Sequence, residues 1–114
     1  MNTKNNSDAS LIAKAADLAA LVDYQSGAVG SRTIIERNTG TVTFFAFDQA
    51  QGLSEHTAPF DSLVHVIDGE AVVTIDDHVL NLKKGEATTM PANRPHALKA
   101  NARFKMMLVM IRGS

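Results

Sequence analysis

The stretch His56-Thr57-Ala58-Pro59-Phe60-Asp61-Ser62-Leu63-Val64-His65-Val66-Ile67-Asp68-Gly69 decides the fold. Its second half is a β-branched apolar run that ends on Asp-Gly, a pair that tolerates positive φ and so favours tight turns. The same punctuation recurs outward in both directions. Downstream, apolar runs at 71–75, 79–82, 87–90, 97–100 and 104–111 are separated by Asp76-Asp77, Lys84-Gly85 and short polar links. Upstream, 33–35 and 41–47 flank Asn38-Thr39-Gly40. Short strands joined by short turns, with no βαβ rhythm and no internal repeat, predict an all-β antiparallel sandwich or small barrel.

The chain has 114 residues, enough for one domain. Residues 1–10 are expected to be a flexible N-terminus, and 11–114 a single barrel domain. Leu11, Ile12, Ala15, Leu18, Ala19 and Val22 fall on one helical face behind Ser10. A short N-terminal helix or an irregular lead-in is therefore expected. Eleven Lys and Arg against twelve Asp and Glu leave a net charge of −1. That balance argues against a nucleic-acid partner, and no basic amphipathic stretch suggests a membrane surface. There is no cysteine, so disulfides, Cys-based zinc sites and thiol chemistry are excluded. The longest apolar run, 106–111, is far below the ~20 residues of a membrane span. The chain reads as cytoplasmic and unprocessed.

Two runs break the in-out alternation of a half-buried strand. Val42, Phe44, Phe45 and Phe47 are apolar on both faces of one strand. Phe104, Met106, Met107, Leu108, Val109 and Met110 are apolar on both faces of another. A second covering layer is expected, either the thin Ala-rich segment before the barrel or, as the leading expectation, a second subunit in a homodimer.

The quoted stretch resembles the first motif of the cupin superfamily, in which two histidines one residue apart are followed by Pro, a Glu and a closing Gly. The second cupin motif is matched by Gly85, Pro91 and His96. The resemblance runs from Ala50 to Ala100 and implies a jelly-roll β-barrel, commonly a homodimer, with an interior pocket. Metal-binding cupins typically hold the ion with three His and one Glu. Here the first and third His are His56 and His96, but the second is replaced by Ala58 and the Glu by Ser62. The family's leading Gly is Ala50, and the Gly that follows Pro91 is Asn93.

Two imidazoles make a poor metal site, because structural zinc wants four donors and catalytic zinc three plus water. Alternation along one strand puts His56, Ala58 and Ser62 on the same face and turns Asp61 the other way. The expected role of His56, Ala58, Ser62 and His96 is to line a pocket for an unidentified small molecule. No cofactor is expected; a divalent transition metal would be held weakly, by His56, His96 and Asp61. Three functions follow from this reading. The first is a small-molecule-binding cupin without strong metal-dependent catalysis. The second is a metal-dependent dioxygenase or isomerase with a variant shell. The third is metal-free proton transfer by a His–Asp dyad, for which Asp61 is the nearest acid. His65 reads as a packed or interface residue, His78 as solvated, and Arg94 as a turn residue at the barrel mouth.

Overall fold

The computed structural model describes residues 7–112. Eight antiparallel strands form the body: β1 Val29–Arg37, β2 Gly40–Phe47, β3 Gly52–His56, β4 Phe60–Ile75, β5 His78–Lys83, β6 Ala87–Met90, β7 His96–Lys99 and β8 Phe104–Arg112. One layer, sheet A, runs β1-β2-β8-β4 with β6 on the other side of β4. The other, sheet B, joins β5, β4, β7 and β3. Among the described residues no helix is long and apolar enough to cross a membrane.

β4 belongs to both layers. Its first part pairs with β8 as far as Gly69↔Phe104, and its second part pairs with β5 and β7 from Glu70 onward. The Asp68-Gly69 pair therefore does not close a hairpin, as its composition suggests; it bends one continuous strand. The register slips between Val66 and Asp68, and Gly69 has φ +72°. A Cβ at Gly69 would run into Arg103 O and lie 3.0 Å from Phe104 Cα, so glycine serves both the conformation and the close approach. The hairpin reading does hold at Asp76, where φ is +52°; at Gly85, where φ is +88°, the turn instead passes the chain from β5 in sheet B to β6 in sheet A, two strands that each pair with β4.

The bend sets which side chains meet. Val64 and Val66 on one arm of β4 and Ala71 and Val73 on the other face the same interior, with Phe47, Leu98, Phe104 and Met106. Phe47 and Phe104 stack with centroids 4.6 Å apart. Ile67, next to Val66, faces the other side by ordinary alternation and packs with Phe44 and Ala46, and the slip after it keeps Asp68 on that outer face, opposite Lys105.

That outer face is where the first segment of the chain lies. In place of a helix it forms two 3-10 turns, Ala9–Leu11 and Leu18–Ala20, each capped by an aspartate, Asp8 and Asp17. Ser10 is not the cap; its amide donates to Asp8. Ala13 sits at φ +58°, which a continuing α-helix cannot accommodate, and Ile12 is left exposed. The irregular alternative prevails because a strap can place Leu21 and Val22 over Phe44, Ala46 and Ile67, with Leu11 and Met107 packed beside them. Lys105 is buried beneath it, its Nζ donating to Ala19 O at 2.5 Å and lying 4.8 Å from the centre of the Tyr24 ring. Tyr24 in turn donates to Asp68 at 2.5 Å; burial and that carboxylate push its phenol up. The expected boundary between a loose tail and the domain at 10/11 falls inside a bonded stretch. Asp8 accepts from Arg32 Nη2 at 2.7 Å, and its amide donates to Ile34 O. Of the expected flexible N-terminus, residues 1–6 lie outside the described residues.

Two outcomes test these contacts. Gly69→Ala should destabilise the fold by about 1–3 kcal/mol in a denaturant titration, the usual cost of a strained backbone position. The hydrogen bonds from Ser10 and Arg32 hold the Asp8 carboxyl at about 2, below its ordinary 3.8. Its contribution to strap docking is then complete above pH 4 and lost as the pH falls toward 2. Amide NMR across pH 5 to 2 should show strap resonances titrating near 2, with the midpoint moving toward 3.8 in Arg32→Ala.

Candidate functional site

The site occupies one end of the interior. Ser62 and Ile75 lie on opposite arms of β4 at similar distances from the bend, so folding the strand at Gly69 brings them to the same end of the two layers. In sheet A, Ser62 pairs with Met90 on one side and Met110 on the other. In sheet B, His96 pairs with Ile75 and with His56. Ser62 and His96 are buried, and His56 at the strand end is exposed.

The two rings meet edge to face, their Nε2 atoms 3.1 Å apart and their centroids 4.3 Å. Each is fixed from behind. His56 Nδ1 donates to Ser54 O at 2.8 Å, and His96 Nδ1 donates to Arg94 O at 3.1 Å. A carbonyl only accepts, so both Nδ1 hydrogens are committed. The Nε2 atoms are what the rings offer to anything that enters.

The alternation that linked His56, Ala58 and Ser62 does not hold, because the chain leaves the sheet between them. β3 ends at His56 in sheet B and β4 begins at Phe60 in sheet A. Ala58 lies in the connecting loop, where its carbonyl accepts from Asn93 N. It borders the site through this tie and contributes no donor atom. Asp61 faces outward: it is exposed, and its Oδ1 accepts from Ala92 N at 2.9 Å. The trio His56, His96 and Asp61 is thus not assembled. Among the described residues no three His, Cys, Asp or Glu side chains come together as a metal-holding group. Two imidazoles beside an alanine and a neutral hydroxyl do not fit a four-donor shell. The His–Asp dyad of the third reading is not formed: each ring's Nδ1 bonds a backbone carbonyl, and its Nε2 faces the other ring's Nε2.

At two positions where the family motif has glycine, one beside Ala58 and one at the far end of β3, the chain keeps a left-handed backbone. Ala50 and Asn93 have φ of +71° and +63°. Asn tolerates that region well; for Ala it is a local strain. Arg94 at the mouth is engaged by Asp76, and that hydrogen bond holds the aspartate carboxyl below its usual range. His65 is on the outer face beside Ala16, Asp17 and Lys84, and His78 is exposed at the start of β5. Of the methionines, Met106 fills the core and Met107 lies under the strap, while Met90 and Met110 flank Ser62. Sequence reasoning missed Thr41. It pairs with Met110, in the same cross-strand row as Ser62, and its buried Oγ1 has no hydrogen-bond partner. Only the register across three strands brings it into that row.

The model of the cupin domain matches residues 43–112, and this chain belongs to that family. A conserved protein of unknown function from Streptococcus pyogenes is 32% identical, covering 100% of this chain and 96% of its own, with a TM-score of 0.85. A cupin 2 conserved barrel domain protein from Leptotrichia buccalis is 36% identical over 82% of this chain and 46% of its own, with a TM-score of 0.79. A cupin superfamily protein from Desulfitobacterium hafniense is 26% identical, covers 99% of this chain and 100% of its own, and has a TM-score of 0.84. No curated protein matches.

Restoring donors tests the reading of the shell. The double variant Ala58→His, Ser62→Glu should raise affinity for zinc or nickel by roughly two orders of magnitude or more in a calorimetric titration, because four donors replace two. An unchanged affinity would mean that the loop carrying position 58 cannot bring a ligand to the pair.

Proposed function

We propose that this protein is a small-molecule-binding cupin of the cytoplasm that works without strong metal-dependent catalysis. The observation that carries the reading is the His56–His96 pair. Both rings are braced by backbone carbonyls and bring their Nε2 atoms together, while the other two family donor positions hold Ala58 and Ser62. Fixed polar atoms beside apolar walls are what a pocket needs to orient a ligand. Here the polar atoms are the two Nε2 and the Ser62 hydroxyl, with the unpartnered Thr41 Oγ1 in the same row. The apolar neighbours in register are Ile75, which pairs with His96, and Met90 and Met110, which pair with Ser62. The ligand class that matches is a small molecule with an apolar body and one polar head. The thioethers of Met90 and Met110 can adjust to its shape.

A second reading, the metal-dependent enzyme, is favoured by one feature. Imidazoles whose Nδ1–H is bonded to a carbonyl are oriented as ligating histidines usually are. It needs donors beyond His56 and His96, and Asp61 does not supply one.

Thermal unfolding in the presence of a panel of small metabolites distinguishes the two. A ligand present at a hundred times its dissociation constant adds about 2.7 kcal/mol. At least one compound should raise the midpoint of the wild type and fail to do so for His56→Ala, whose ring is exposed and not part of the core. A panel without effect, or one that acts equally on both proteins, would remove the pocket reading. Near-stoichiometric tight zinc on the wild type, lost in His56→Ala, would replace it with the second.

A further inference from the structure

Between the strap's second turn, Leu18–Ala20, and the turn from β5 to β6, a groove of about 500 Å³ lies over β4. Its apolar lining comes from Leu18 and Ala19 on the strap and Ile67 on β4. Hydrogen bonds hold both sides in place. Lys105 Nζ donates to Ala19 O on the strap side. On the other side the turn is stitched to β4 twice, Gly85 N donating to Val66 O at 2.8 Å and Val66 N to Glu86 O at 3.0 Å. A Cβ at Gly85 would meet nothing within 4 Å, so the turn leaves its side of the groove unfilled. Three titratable side chains complete the lining. His65, half-buried on β4, and Lys84, exposed in the turn, have no hydrogen bond or ion pair among the described residues. Asp17 has one carboxylate oxygen committed to Ala19 N as the cap of its turn.

We infer that this groove binds a small organic monocarboxylate, a molecule with an apolar chain and a single anionic head. The chain rests on Leu18, Ala19 and Ile67, where it leaves water. The head is chosen by His65 and Lys84. An imidazole N–H and an ammonium are both donors, and the two oxygens of a carboxylate can accept from both at once. The bond from Lys84 is charge-assisted at both ends, the stronger kind. Asp17 sets the limit on charge. Its carboxylate lies in the same lining and opposes a second negative group, so a dicarboxylate is disfavoured where a monoanion is met by the ammonium. A neutral chain of the same length gains the apolar contact and loses the ionic one. The site is separate from the His56–His96 pair. The groove is on the outer face, near the bend of β4; the pair is at the other end of the interior.

Amide NMR of the isotope-labelled protein, titrated with sodium hexanoate, tests the inference. Hexanol and adipate serve as the uncharged and doubly charged molecules of the same chain length. Hexanoate should give saturable shifts at residues 16–19, 65–67 and 84–85. Hexanol and adipate should each bind roughly tenfold more weakly, the scale of one lost or opposed charged contact. Lys84→Glu and His65→Ala should each raise the dissociation constant for hexanoate roughly tenfold. Neither side chain belongs to the core, and the same spectra report that each variant is folded. His78→Ala, at the exposed start of β5, should bind as the wild type does. An absence of saturable shifts would overturn the proposal, and so would shifts centred on residues 56, 62 and 96, which would give the carboxylate to the interior. Equal binding of hexanol or adipate, or undiminished binding by folded Lys84→Glu, would do the same.

Discussion

The passage of β4 from one sheet to the other is the constraint on which the rest of the molecule rests. A strand of 16 residues would overrun a layer this narrow if it stayed straight. The slip after Val66 and the left-handed Gly69 fold it over, and three results follow together. The interior gains both arms of the strand as walls. Asp68 is kept on the outer face beside Ile67, where it accepts from Tyr24 of the N-terminal strap. Ser62 and Ile75 arrive at the same end, which is where the two histidines are held. One backbone irregularity thus sets the core, the outer cover and the candidate pocket.

The strap solves a different problem, that of a sheet apolar on both faces. Leu21 and Val22 bury the outer side chains of β2, and Tyr24 and Lys105 supply the polar part of the joint. Lys105 has a carbonyl and an aromatic face for partners, each able to accept a cation, so its charge is met without a carboxylate on the lysine itself. Among the described residues, Ile35 and Ile111 on the same sheet are left exposed.

Much of this was legible in the sequence. The antiparallel barrel followed from turn spacing and β-branched runs, and the two chemically placed histidines followed from the family motif. β3 was not legible, because Ser54 and Glu55 on an exposed edge strand carry no alternating apolar pattern. The continuity of β4 was hidden for the opposite reason: Asp-Gly is so favourable in a hairpin that composition cannot distinguish a turn from a bend. The N-terminal apolar spacing suits a helix, yet tertiary packing of Leu21 and Val22 outweighs that local preference. In the site, counting residues along one strand failed at Pro59, where the chain changes sheets. Asp61 was correctly placed facing away by the same counting, since it lies with Ser62 on the β4 side of that break.

The bond from Lys105 to Ala19 spans 86 positions. The surface on which the strap rests is completed by β8, the last strand of the barrel. During synthesis the strap is therefore made long before its seat exists, and β2 waits equally long for its β8 neighbour. Until then Leu21, Val22 and Phe44 have no native partner on β8. Contacts of such long range form slowly, because loop closure must precede any gain from them. The strap's aspartate-capped turns and Ala-rich composition suit that interval, since they keep an unpaired, hydrogen-bond-hungry strand edge from being presented before the barrel can receive it.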